Sequence, residues 1–277
     1  MVQWIEYLKA LVLGIVEGIT EWLPISSTGH MILVDEFLKL NMSDEFKELF
    51  LVVIQLGAIL AVVLLYFKTL WPLKKENGRV CLSRETMVMW GKILISCIPA
   101  AVVGLLLDDL FNRLFYNWQT VAIMLVVFGV LFLWIERYNR GRTPRCHSIA
   151  ALTLRDALLI GVFQVIAAIF PGVSRSGATI LGALLLGVSR TTAAEYTFYL
   201  AIPVMFGASL LKLLKFGLAF STADMIVLAI GLISAFAVSV AVIKFLMGFI
   251  RKHDFSAFGW YRIVLGAVVI LYFLFAR

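Results

Sequence analysis

Six apolar stretches, near 49–67, 91–107, 119–136, 196–214, 225–243 and 260–275, are each long enough to cross a bilayer as a helix. Inside hydrocarbon every backbone N–H and C=O needs a partner within the protein, so α-helices are almost the only form such stretches can take. Composition leaves no room for a soluble alternative: 62% hydrophobic and 15% charged residues, with mean hydropathy +0.99, exceed what a globular core absorbs. The 277-residue chain therefore reads as one all-α polytopic integral membrane domain, residues 1–277, with short loops. Its start, MVQWIEYLKALVLG, has neither a basic leader nor a small-residue cleavage site and reads as part of the mature fold. Cys81, Cys97 and Cys146 lack CxxC or Cys/His ligand spacing, which supports neither a disulfide framework nor a zinc site.

Two further apolar stretches, 8–36 and 155–187, are interrupted near their middles by LPISSTGH and FPGVSRSGAT. A proline followed by hydroxyls and glycine frees backbone groups that only protein or a water-filled cavity can satisfy. Both stretches read as re-entrant helix–break–helix hairpins that enter and leave on one side. The distribution of basic residues agrees, because counting either hairpin as a crossing would invert every later loop. With both re-entrant, Lys68, Lys74, Lys75, Arg79, Arg84, Lys92, Arg137, Arg140, Arg142, Arg145, Arg155, Lys244, Arg251 and Lys252 share one, cytoplasmic, face. The opposite loops, near 36–48, 108–118 and 212–224, carry only Lys39, Lys47, Arg113, Lys212 and Lys215, and both termini lie outside. The net charge of +7 is then a topogenic signal and an attraction to anionic membrane lipid, with no clustered basic arm and so no nucleic acid partner.

The two broken stretches resemble each other. LGIVEGITEWLPISS (13–27) lies over IGVFQVIAAIFPGVS (160–174) at an offset of 147, with Gly14 over Gly161, Glu17 over Gln164, Pro24 over Pro171 and Ser27 over Ser174. One inserted residue brings SSTGH over SRSGA and Gly29 over Gly177; Glu48 pairs with Glu195, and at shorter offsets Ser96 with Ser234 and Gly129 with Gly266. The chain thus divides into repeats of about 1–140 and about 150–277, each a re-entrant helix hairpin plus three transmembrane helices: six full crossings and two re-entrant hairpins. An odd number of crossings makes these inverted-topology repeats. Such repeats bring their broken helices together near the midplane, where half-helix N-termini can face an anion.

Glu17 and Glu21, four apart, share one helix face with Gly14 and Gly18. Carboxylates at membrane depth serve a pathway, a relay or a metal unless they merely bond a neighbouring helix. This pair can hold one hard divalent cation, Mg²⁺ or Ca²⁺, or share a proton and act as acid and base. Ser26, Ser27 and Thr28 stand where a second half-helix begins, and any one of them could be an N-cap. One cap does not need three hydroxyls plus His30, which can move a proton near neutral pH and makes Ser27 a candidate nucleophile. In the second break Arg175 either neutralises a glutamate across the repeat axis or grips phosphate, with Ser174 and Ser176 as caps or phosphate donors, and Ser26 and Thr28 of the first break are counted with them as diphosphate-binding residues. An anion clamp, a nucleophile with a base, and metal-holding carboxylates suit phosphoryl transfer on a substrate with a long lipid tail.

At these residues the chain closely resembles the bacterial undecaprenyl-diphosphate phosphatase family, also known as bacitracin-resistance proteins. LGIVEGITEWLPISSTGHM and PGVSRSGATI are its signature regions, and VIQLGAILAVV (53–63) and LLLGVSRTTAAEYTFYLAIP (184–203) also look like family segments. The resemblance implies hydrolysis of undecaprenyl diphosphate to the monophosphate at the periplasmic face of the bacterial cytoplasmic (inner) membrane. It also implies carrier-lipid recycling for peptidoglycan, a requirement for Mg²⁺ or Ca²⁺, and bacitracin tolerance. The implied roles fall on Glu17 and Glu21 as acidic motif residues, on Ser27 and His30 as nucleophile and proton-transfer group, and on Ser174 and Arg175 as phosphate contacts.

A transporter or flippase of an anionic polyprenyl lipid stays open as the rival, since inverted repeats and broken helices belong to transporters and fold alone cannot separate the two. An acid-phosphatase-like lipid phosphatase is excluded, because no Lys-x6-Arg-Pro element is present and no histidine follows SR at the required spacing. Oligomeric state is left open, a homodimer included.

Overall fold

The computed structural model describes residues 2–76, 79–216 and 220–275. Of the expected outer loop 212–224, residues 217–219 lie outside the described residues, as do residues 1, 276 and 277 of the domain range 1–277. In chain order the elements are α1 (Val2–Thr20), α2 (Ser27–Phe37), α3 (Asp44–Leu65), α4 (Phe67–Leu70), β1 (Leu73–Glu76), β2 (Arg79–Leu82), α5 (Arg84–Phe115) and α6 (Trp118–Asn139). They continue with α7 (Leu154–Ile169), α8 (Arg175–Leu185), α9 (Arg190–Phe216), α10 (Thr222–Ile250) and α11 (Ser256–Phe275).

Six of these helices, α3, α5, α6, α9, α10 and α11, are long and apolar enough to cross a membrane, and they coincide with the six uninterrupted stretches. Their ends reach further than the apolar windows. Helix α5 covers Arg84–Phe115 where hydropathy marks 91–107, because an apolar window records only the part that must avoid water while backbone hydrogen bonding continues past it. Leu64, Leu106, Val264 and Leu274 stand exposed on the outside of the bundle, the surface a lipid solvent requires. The all-α expectation needs one correction. The basic loop after α4 folds as an antiparallel ladder pairing Leu73 with Leu82, Lys74 with Cys81 and Lys75 with Val80. Asn77-Gly78, which lie outside the described residues, are the sequence signal for such a hairpin.

The helices of the first half pack on those of the second in reciprocal fashion: α1 against α10 and α7 against α5, α3 against both α10 and α9, and α6 against α11. Small residues permit the closest approaches. A Cβ on Gly14 of α1 would sit 2.5 Å from the Gly231 carbonyl of α10, and one on Gly161 of α7 would sit 2.9 Å from Ser96 Cα of α5. On α6 and α11, a Cβ at Gly129 would lie 2.7 Å from the Gly259 carbonyl and one at Gly266 3.0 Å from the Ala122 carbonyl. Gly129 with Gly266, and Ala122 with Gly259, are both 137 apart, so the same contact is made twice with the partners exchanged. Close backbone contact of this kind is how helices associate where lipid offers no hydrophobic driving force. On the basic face, Glu136 of α6 accepts from Arg190 at the start of α9 and from the Phe255 N–H ahead of α11 at 3.0 Å, tying three helix ends. Asp156 in the first turn of α7 pairs with Arg145 and accepts from Thr153.

Gly161→Leu drives a side chain into the Ser96 backbone, and thermal unfolding in detergent is expected to record a loss of about 1–3 kcal/mol. Gly104→Leu in α5, where a Cβ meets nothing within 4 Å, changes stability by less than about 0.5 kcal/mol.

Candidate active site

Each broken stretch is a pair of helices joined by a short irregular segment, α1 to α2 and α7 to α8, and the two breaks are built alike. Ser26 caps α2, its hydroxyl accepting from the Gly29 N–H at 3.2 Å, and Ser174 caps α8, accepting from the Gly177 N–H at 3.2 Å. Both caps adopt left-handed φ values, 75° and 71°, and they are the only non-glycine residues to do so among the described residues. Such backbone costs of order 1–3 kcal/mol for an L residue and concentrates at functional sites. The caps lie 148 apart, so the one-residue shift inferred between the repeats falls inside the breaks and aligns Ser26, rather than Ser27, with Ser174. The first two residues after each cap, Ser27 and Thr28 or Arg175 and Ser176, have N–H groups with no preceding carbonyl of their own helix to bond, which is the chemistry of a helix start that can receive an anion.

With Ser26 serving as cap, the hydroxyl of Ser27 is free for another partner and donates to Glu21 Oε2 at 3.1 Å. The other oxygen of the same carboxylate, Oε1, accepts from Arg175 Nη2 at 3.0 Å, across 154 residues of sequence. Arg175 Nη1 donates to the Thr197 carbonyl of α9 at 3.0 Å. Ser176 donates back across the gap to the Glu21 and Leu23 carbonyls, at 3.1 and 3.3 Å, and its hydroxyl stands 3.0 Å from that of Ser174. The fold thus assembles Glu21, Ser27, Arg175, Ser174 and Ser176 from both halves into one cluster. Ser176, 1% exposed, joins the two breaks.

Glu17, one turn before Glu21, is 2% exposed, and its Oε1 has no hydrogen-bond partner. The other buried side-chain atoms without a partner among the described residues are Trp22 Nε1, both amide atoms of Gln164, and Nε of Arg175 and Arg262. All belong to the breaks, to the helices leading into them, or to a residue packed on them. Native interiors leave few such atoms, and each is a polar group that water, an ion or a substrate could satisfy. No group of three or more His, Cys, Asp or Glu side chains able to hold a metal occurs among the described residues. A cation between Glu17 and Glu21 would draw its remaining ligands from water and substrate oxygens, as Mg²⁺ commonly does, and the unpaired Glu17 oxygen fits that role.

His30 is not brought to the Ser27 hydroxyl. Its Nδ1 lies 2.7 Å from the Ser26 carbonyl, a group that only accepts, so Nδ1 carries a proton, and in the neutral ring Nε2 accepts from Tyr261 Oη at 2.7 Å. The two rings stack with centroids 5.6 Å apart. Thr28 is half-buried in the first turn of α2. Sequence reasoning passed over Tyr261 and Arg262. Arg262 has no exposed surface, and its guanidinium donates to the Pro24 carbonyl at 3.0 Å and to the Gly172 and Val173 carbonyls at 2.7 Å each. The missed signals were a cation inside an apolar crossing and the 137 offset, which places Arg262 opposite Leu125. Next to α2, a cavity of about 380 Å³ is lined by Met31, Ile32, Leu51, Trp118 and Phe273 together with the polar Lys47 and Asn117.

Residues 10–268 match the family described as bacitracin resistance protein BacA. The chain is 66% identical to an undecaprenyl-diphosphatase of Desulfitobacterium hafniense, over 97% of this chain and 96% of that protein. It is 64% identical to undecaprenyl-diphosphatase 1 of Clostridium acetobutylicum, over 98% of each, and 56% identical to an undecaprenyl-diphosphatase of Enterococcus faecalis, over 97% of each.

The Glu21–Arg175 pair couples the two halves energetically. Glu21→Gln combined with Arg175→Met is expected to cost less stability than the two single changes summed, by roughly 0.5–3 kcal/mol in a double-mutant cycle of detergent unfolding.

Proposed function

The chain belongs to the bacitracin resistance protein BacA family, and on that premise we propose that it is a membrane phosphatase converting undecaprenyl diphosphate to undecaprenyl phosphate and inorganic phosphate. That reaction recycles the carrier lipid for cell-envelope polymers and removes the species that bacitracin sequesters. One observation carries the reading: a serine hydroxyl hydrogen-bonded to a carboxylate whose other oxygen holds an arginine from the opposite half of the chain. A transporter needs an anion site but has no use for a hydroxyl poised on a base.

In the proposed mechanism the N–H groups at the starts of α2 and α8, together with Arg175, receive the diphosphate. Ser27 Oγ attacks the terminal phosphorus and its proton passes to Glu21 Oε2, while the bridging P–O bond breaks and its electron pair leaves on the lipid monophosphate. Water then attacks the phosphoserine, inorganic phosphate departs, and Ser27 takes its proton back from Glu21. The pairing with Arg175 keeps Glu21 aimed between substrate steps. Glu17 and Glu21 would hold a divalent cation, Mg²⁺ or Ca²⁺, which when bound would neutralise charge on the diphosphate. His30, bonded on both ring nitrogens, fixes the first turn of α2 against α11, so the serine proton goes to Glu21 in this scheme. The cavity beside Met31 and Ile32 offers apolar walls to the first isoprene units.

The architecture that suits this chemistry is a single membrane domain of two inverted repeats. In it, α1–α2 and α7–α8 are re-entrant hairpins, and the shared site opens to the periplasmic side of the bacterial inner membrane. The reciprocal packing of α1 on α10 and α7 on α5 supports the inversion, and the basic loops on the opposite face support the orientation.

Purified protein in detergent is expected to release inorganic phosphate from a polyprenyl diphosphate, in a manner abolished by chelator and restored by Mg²⁺ or Ca²⁺. Absence of release under every cation condition returns the assignment to a transporter. Ser27→Ala binds substrate and loses turnover by about 10²- to 10⁴-fold in the same assay; hydrolysis near the wild-type rate would remove the covalent step.

A further inference from the structure

Arg262 is the only charged residue with no exposed surface among the described residues, and no salt bridge reaches it there. Backbone solvates it instead. The three carbonyls it holds belong to Pro24, two residues before the cap of α2, and to Gly172 and Val173, two and one before the cap of α8. Peptide units are planar and rigid, so fixing these carbonyls fixes the planes from which Ser26 and Ser174 turn into their left-handed conformations. A guanidinium can do this because its donors are spread in a plane; an ammonium concentrates its donors at one point. The fit is close on the α8 side, where a Cβ on Gly177 would stand 2.9 Å from Arg262 Nη1. At the matching place on α2, a Cβ on Gly29 would meet Leu125 Cδ1 at 3.2 Å. Leu125 and Arg262 share the 137 offset that relates Gly129 to Gly266, so this cation is present once and serves both breaks.

Resting on the phosphatase reading above, we infer that Arg262 is a positioning residue. It locks the two helix starts to each other so that Ser27 and Glu21 from one and Arg175 from the other meet the same diphosphate. Its hydrogen bonds are all to backbone, so it acts through the breaks rather than on the substrate. Misplacement of reacting groups by about 1 Å is enough to slow catalysis by about 10²-fold, and the effect falls on kcat.

The test compares the wild type with Arg262→Lys and Arg262→Ala in detergent, with rates normalised to monodisperse folded protein. Arg262→Lys keeps the charge and loses the fork; its kcat is expected to fall by about 10- to 100-fold with KM within about threefold of wild type. Added guanidinium is expected to restore part of the Arg262→Ala rate, as a group that refills the vacated site between the carbonyls. Hydrogen–deuterium exchange of peptides covering 24–30 and 172–178 is expected to quicken about tenfold in both breaks together in Arg262→Lys. A folded Arg262→Lys protein with wild-type kcat and wild-type exchange in both breaks overturns the inference, as does a rise in KM alone, which would mark a direct charge contact with substrate. If Arg262→Ala does not fold, Arg262→Lys decides. Failure of the wild type to release phosphate sinks the parent reading, and exchange in the breaks then decides the positioning role by itself.

Discussion

A helix interrupted in apolar surroundings leaves carbonyls and N–H groups that lipid cannot satisfy, and this chain interrupts two of them at the same place. The carbonyls are met by one buried guanidinium, the N–H groups at the caps by two serines in a backbone conformation that serine rarely adopts. What remains unpaired, at the starts of α2 and α8 and at Glu17, Gln164, Arg175 and Trp22, is the polarity available to a ligand. The site is thus the residue of a backbone problem solved on one side and left open on the other.

Glu21 sits at the centre of what is left open. Its two oxygens have different partners, Ser27 from its own hairpin and Arg175 from the other, so one carboxylate links a hydroxyl of one half to a guanidinium of the other. Neither half of the chain contains both. Ser176, reaching the Glu21 and Leu23 carbonyls, holds the same junction from the opposite direction.

The six crossings and both breaks were legible because hydrocarbon imposes length and apolarity on the former, and because proline, glycine and hydroxyls are conspicuous against that background. The meeting of Glu21 with Arg175 was expected from self-comparison, because the two broken stretches resemble each other, and the two side chains do meet. Pairing within the cluster was less legible. Sequence proximity suggested that His30 would serve Ser27, yet a helical turn points His30 to its own cap carbonyl and to Tyr261, whereas Glu21, six residues upstream across the break, is the actual neighbour. Arg262 escaped notice because it lies near the end of an apolar crossing, where an arginine normally snorkels to water; only its contacts reveal that it turns inward. The hairpin of β1 and β2 was obscured by its lysines, which read as topogenic charge.

The pairing of Leu125 with Arg262 bears on the symmetry of the site. Under the proposed inversion, two identical copies of either half would give two leucines or two arginines at these equivalent positions, and the latter would bring two cations to a space that holds one. Likewise, identical halves would carry two glutamates or two glutamines where this chain has Glu17 and Gln164. The helix packing around the breaks is thus made twice, while the polar groups it surrounds are present once, so the two ends of anything held between the breaks meet different chemistry.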